Sequence, residues 1–146
     1  MVPSATVNHV PTLTGGLGTE ALRAFYADNF IPRLPEDTKI TPVHRVIGHD
    51  AVVDEILFEF THTITMDWLL PGVPPTNRHC KVPFCVVVLF QHDKLQAERI
   101  YWDQASVLKQ LGLLPPGTPA VSGAEQAAKV ADQPSVPSNL MIRQAP

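Results

Sequence analysis

Cysteine is scarce in this chain, and the two present, Cys80 and Cys85, stand five residues apart. On one strand that odd spacing sends their side chains to opposite faces, so a disulfide between them is not expected. A reducing compartment, the cytoplasm, is the simplest reading. Long apolar runs are missing as well, which excludes a membrane-spanning helix. The start, "MVPSATVNHV", lacks the basic residues and apolar block of a secretory signal. There is no run of Lys or Arg, and a net charge of −3 with a pI near 6.0 leaves no basic face for phosphates. Nucleic acid and membrane are therefore not expected partners.

Several chemical signatures are missing too. No H-x-x-x-H, H-x-H or C-x-x-C spacing occurs, so no metal site is expected. There is no G-x-S-x-G elbow, and "TGGLGTE" lacks the Gly-Lys-Ser/Thr element of a phosphate loop. No cofactor is signalled.

What is present is an apolar content of 45% against 17% charged residues over 146 positions, enough for one domain with one core. "TEALRAFYADNF" reads as a helix capped by Thr19, with Leu22, Phe25, Tyr26 and Phe30 on one face. From Lys39 to Tyr101 the period changes to two. "KITPVHRVI" is a strand, "GHD" a turn, and Ala51 to Trp68 a long second strand. "KVPFCVVVLF" and "LQAERIYW", joined by "QHDK", are the third and fourth. Short turns between consecutive strands favour an antiparallel sheet. "QASVLKQLG" reads as a helix ending at Gly112, and "SGAEQAAKVAD" as another with a capping box of Ser122 and Glu125. Residues 1–131 form the domain and 132–146 a Pro-rich tail.

On the second strand, alternation places Ile56, Phe58, Phe60, His62, Ile64, Met66 and Trp68 on one face. His62 is then the titratable group of an apolar face, and a neutral imidazole there suits proton transfer. From the residues alone, a core histidine satisfied by one hydrogen bond is the simpler reading. On the fourth strand Leu95, Ala97, Arg99 and Tyr101 share one side; Gln96, Glu98, Ile100 and Trp102 share the other. Neither side is cleanly apolar. Asp103 follows at the junction with the helix, where a carboxylate is a good N-cap.

The segments "VNHVPTLTGGLG", "FTHTITMDWLLPGVPPT" and "ERIYWDQASVLKQLGLL" together resemble the SnoaL-like branch of the NTF2-like superfamily. "PAVSGAEQAAKV" adds weaker support. The match is similar to SnoaL-like domains associated with carboxymethylenebutenolidase (dienelactone-hydrolase-type) proteins. The resemblance implies an α+β cone-shaped barrel, a curved antiparallel sheet wrapped around helices, and a homodimer formed through the outer sheet face. The family usually begins with a helical segment of several turns; here seven residues precede Asn8, so that segment is expected to be shortened.

The implied activity is that of the family's polyketide cyclases, in which an aspartate near the end of a late strand is the acid/base of a cofactor-free ring closure. Asp103 matches that position, with His62 as its partner. His9, Phe60, Trp68, Arg99, Tyr101 and Trp102 are the implied substrate-binding residues. The expected ligand is an apolar, carbonyl-bearing metabolite, handled by a cyclase or isomerase. A non-catalytic ligand-binding or dimerisation module is the alternative, because fold alone does not give function.

Overall fold

A computed structural model describes residues 1–142; the last four residues of the expected tail lie outside the described residues. The centre is one six-stranded curved sheet. Its strands are β1 (Thr6–His9), β2 (Thr14–Leu17), β3 (Lys39–Ile47), β4 (Ala51–Thr61), β5 (His79–Gln91) and β6 (Lys94–Trp102), in the order β2-β1-β6-β5-β4-β3. Pairings are antiparallel except that of β1 with β6, which run parallel. The expected α+β fold is present, but the sheet is not closed, and β2 and β3 form its edges.

Two short strands, β1 and β2, lie within the first 18 residues. Their pairing requires a glycine: Gly15 has φ 139°, and a Cβ there would lie 2.0 Å from the Val7 carbonyl oxygen. Gly18, not Thr19, is the N-cap of α1 (Thr19–Ala24), and no side chain caps this helix. α1 runs directly into a π-helical stretch, Phe25–Phe30, and a 3-10 turn, Ile31–Arg33. The widened turn sets the phase of the aromatic face.

β3 matches its expected limits. Within it the register against β4 shifts between Pro42 and His44, a bulge that adds one residue to the edge strand. β4 ends at Thr61, not at Trp68, because its partner β5 begins at His79, opposite Thr61. Alternation continues in the sequence, but the ladder has no further residue to pair with. The chain instead turns through a long loop, in which the His62 amide donates to the Arg78 carbonyl and the Asn77 amide to that of His62. The loop buries Met66, Trp68, Leu69 and Leu70 over one end of the sheet. Full burial of a side chain such as Leu70 is worth about 2 kcal/mol.

His92 and Asp93, at φ 49° and 60°, make the tight turn between β5 and β6. Pro83 lies inside β5, one residue beyond the point where β6 ends at the Phe84–Trp102 pair. There β5 is an edge, the place where a missing N–H is tolerated. Gln110 of α2 (Gln104–Gln110) covers that edge. Its amide nitrogen donates to the Lys81 carbonyl at 3.0 Å, and its amide oxygen accepts from the Lys81 amide at 2.9 Å.

α3 (Glu125–Ala131) lies where a helix was expected, but its N-cap is Ala124 and no capping box forms. Ser122 instead accepts from Gln126 Nε2 at 2.8 Å. The segment after α3 folds back on it, with Lys129 Nζ donating to the Val136 carbonyl at 2.6 Å. Among the described residues no helix is long and apolar enough to cross a membrane.

Candidate functional site

The concave side of the sheet and the π-helical stretch enclose a cavity of about 190 Å³. Tyr26 and Phe30 form one wall, Phe58, Phe84 and Ile100 another, and His9 and Trp68 the end. Tyr26 and Phe30 meet edge to face at 5.6 Å between ring centroids, and Phe30 lies 4.8 Å from Trp68. Aromatic pairs at these separations form a stiff wall rather than an adjustable one. The Trp68 wall is clamped from outside the loop: Thr12 and Thr14 hydroxyls both donate to the Trp68 carbonyl, at 2.9 and 2.7 Å. Its indole N–H reaches the Arg33 carbonyl at 3.4 Å.

Among the described residues one carboxyl lines this apolar chamber, that of Glu98. It reaches the chamber because β6 alternates, sending Glu98 and Ile100 inward and exposing Arg99 and Tyr101 on the other face. Burial raises the Glu98 carboxyl above its ordinary 4.5, while a hydrogen bond from Tyr26 pulls in the opposite direction. Tyr26 Oη donates to Glu98 Oε2 at 3.2 Å. The phenol in turn is pushed well above its ordinary 10, by its own burial first and then by the charge of Glu98. Tyr26 is therefore a donor throughout the accessible pH range.

His9 is 4% exposed, with its ring centroid 4.9 Å from Trp68 and 5.9 Å from Phe30. Burial lowers its pKa from 6.5 to about 4, so the imidazole is neutral near pH 7. Among the described residues Nδ1 is buried without a hydrogen-bond partner. β1 places His9 beside Ile100 and Val7 beside Glu98. Strand spacing then separates the His9 and Glu98 backbones by ~8 Å.

The other expected site residues lie elsewhere. Asp103 caps α2, accepting from the Ser106 amide at 3.1 Å, and its second oxygen accepts from Gln126 Nε2 at 2.7 Å. Its carboxylate faces a separate hollow lined by Glu55, Pro83, Phe84, Cys85, Tyr101 and Trp102. His62 is not among those residues. It is fully buried at the root of the long loop, where Nδ1 accepts from the Thr76 amide at 3.2 Å, and burial lowers its pKa. Asp103 and His62 are thus not brought to one cavity.

Phe60 is fully buried in the core against Phe58, 5.6 Å between centroids, and does not line the chamber. Trp102 stacks on Phe84 at 6.0 Å, and among the described residues its indole N–H has no partner. Arg99 and Tyr101 point to the outer face. Of the expected residues, His9 and Trp68 line the chamber together. Glu98 and Tyr26 are the pair that sequence reasoning missed. The signal was the alternation on β6, which had already placed Glu98 with Ile100.

No family model matches the sequence, and no curated protein matches it. Solved structures do match its fold. A candidate SnoaL-like polyketide cyclase from Jannaschia sp. CCS1 is 19% identical with a TM-score of 0.60, over 79% of this chain and 75% of that one. A protein with a ketosteroid isomerase-like fold from Catenulispora acidiphila, solved in complex with trimethylamine, is 18% identical with a TM-score of 0.56, over 82% of each chain. TerC, co-crystallised with polyporic acid, is 18% identical with a TM-score of 0.53, over 77% of this chain and 80% of that one. The chain has the NTF2-like fold shared by SnoaL-like and ketosteroid isomerase-like proteins.

Proposed function

We propose that this chain is a cofactor-free acid/base protein of the cyclase or isomerase type, acting on an apolar carbonyl compound held between His9, Trp68 and Glu98. The observation that carries this reading is the Glu98 carboxyl, desolvated on the wall of an aromatic chamber with one oxygen held by Tyr26. The other oxygen is free to meet a ligand. As a base, Glu98 takes a proton from the carbon next to the carbonyl. The C–H bond breaks, its electron pair forms the enolate, and the proton stays on the carboxyl. The neutral His9 imidazole stabilises the enolate oxygen by hydrogen bonding.

Glu98 then returns the proton, either to a different carbon, an isomerisation, or to the alkoxide left when the enolate carbon attacks a second carbonyl, a ring closure. Neither path needs an oxidant, a reductant or a metal. The Catenulispora protein and TerC were solved with small molecules, which supports a small-molecule ligand for this fold. The free thiols of Cys80 and Cys85 fit a cytoplasmic setting. The outer sheet face, with Tyr101 43% exposed, is our choice for a homodimer contact.

Proton exchange at the α-carbon of 2-tetralone in heavy water, followed by NMR, tests the reading. Wild-type protein accelerates the exchange, Asp103→Asn retains the acceleration, and Glu98→Gln loses it. Acceleration that survives Glu98→Gln and vanishes with Asp103→Asn returns the acid/base role to Asp103. Binding of the ketone without any exchange identifies a binding module.

A further inference from the structure

The chamber opens along the sheet into a second, wider hollow of about 600 Å³, and the two share Ile40, Ile56, Val86 and Glu98. Apart from Glu98, the charged groups of the wider hollow are Arg45 and Asp54, with His44 beside them. Arg45 reaches this side of the sheet through the bulge. Before it, Pro42 pairs with Ile56 on the concave face; after it, Arg45 pairs with Asp54 rather than with Val53. One added residue thereby turns Arg45 from the outer face to the concave one.

Asp54 holds the guanidinium in a two-pronged contact through Nε and Nη2, the latter at 2.8 Å. The fork is fixed in direction, yet the Arg45 side chain is 62% exposed, against 20% for Asp54. An arginine carries five N–H donors, so those not bonded to Asp54 point to the hollow and to solvent.

We infer that the Arg45–Asp54 pair is a second polar subsite of the same cavity, which selects ligands with a neutral oxygen function at the end far from the reacting carbon. This rests on the chamber being the ligand site. The pair is neutral overall, and Glu98 stands on the same wall, so an anionic group gains little there. A carbonyl, hydroxyl or ether oxygen accepts from the remaining guanidinium donors without that repulsion. Strand spacing puts the Asp54 and Glu98 backbones ~12 Å apart across the sheet, the span of a two-ring compound rather than a one-ring one. Arg45 is a specificity-determining residue in this account and does not touch the reacting atoms.

The test uses 4-hydroxybiphenyl and 4,4′-dihydroxybiphenyl, whose binding is followed by calorimetry and tryptophan fluorescence. Wild-type protein binds the dihydroxy compound about tenfold more tightly, the effect of one hydrogen bond from a charged donor. Arg45→Leu removes that preference and leaves affinity for the monohydroxy compound unchanged, which also shows that the variant is folded. Arg45→Lys, which keeps the charge and loses the fork, loses the preference as well and serves if the leucine variant does not fold. Equal affinities in the wild type, or a preference that persists in both variants, overturns the subsite while the chamber stands. Failure of both compounds to bind the wild type overturns the chamber as the ligand site, and the subsite with it.

Discussion

Tyr26 Oη and Glu98 Oε2 meet at 3.2 Å across the chamber, joining the π-helical stretch to the middle of β6 over 72 positions of sequence. The phenol gives the carboxyl a single neutral donor, which does not cancel the cost of burying it. A carboxyl kept partly desolvated in this way is a stronger base than one in water, and a less stable one. The first prediction follows from that conflict.

Glu98→Gln keeps the hydrogen bond from Tyr26 and removes a buried ionisable group. Because the folded state holds the Glu98 proton more tightly than the unfolded chain, its contribution to stability is present below 4.5 and is lost as pH rises through the elevated folded value. At neutral pH the variant is therefore expected to be more stable than the wild type, with a higher melting temperature. Calorimetry at pH 7 and pH 4 checks both the gain and its disappearance in acid.

His9 acts with the opposite sign. Its folded pKa lies near 4 against an ordinary 6.5, so its stabilising effect is complete above 6.5 and is lost as pH falls towards 4. The loss is about 3 kcal/mol. Unfolding free energies from urea titrations of wild type and His9→Phe, compared between pH 7.5 and pH 4, are expected to diverge by that amount, with the phenylalanine variant falling less.

Gly15→Ala tests the hairpin that carries His9. The added methyl meets the Val7 carbonyl at 2.0 Å and must also adopt φ 139°. A loss of about 3 kcal/mol is expected, together with weaker ligand binding, because β1 is displaced along its pairing with β6. Chemical denaturation and fluorescence titration measure the two effects.

Asp103→Ala removes the α2 cap and the contact with Gln126. It is expected to cost about 1–2 kcal/mol of stability and to leave affinity for a chamber ligand unchanged. Asparagine, itself a good cap, recovers most of the loss.

The sequence made the cap at Asp103 legible, along with the limits of β3 and the turn at His92–Asp93, each of which depends on neighbours close in the chain. The α+β fold class came from the resemblance of whole segments to a known family. Alternation split β6 into its two true faces, yet neither face is cleanly apolar, so the inward one could not be chosen. The choice depends on Tyr26, Phe30 and Trp68, which reach Glu98 only through the tertiary fold.

The same reason hid β1. Four residues beside a parallel partner 91 positions on, Thr6 against Ala97, carry no periodic signal of their own. The alternation past Thr61 misled in the other direction, because a strand needs a partner as well as a pattern. His62 and Trp68 share an apolar sequence pattern, but one anchors the root of the loop and the other closes the chamber.

Carboxyl-carbon NMR of Glu98 across pH, with and without 2-tetralone, tests the central claim most directly. The account predicts a midpoint above 4.5 that rises further when the ketone occupies the chamber and excludes water from the carboxyl. An ordinary midpoint that the ketone does not move would contradict it.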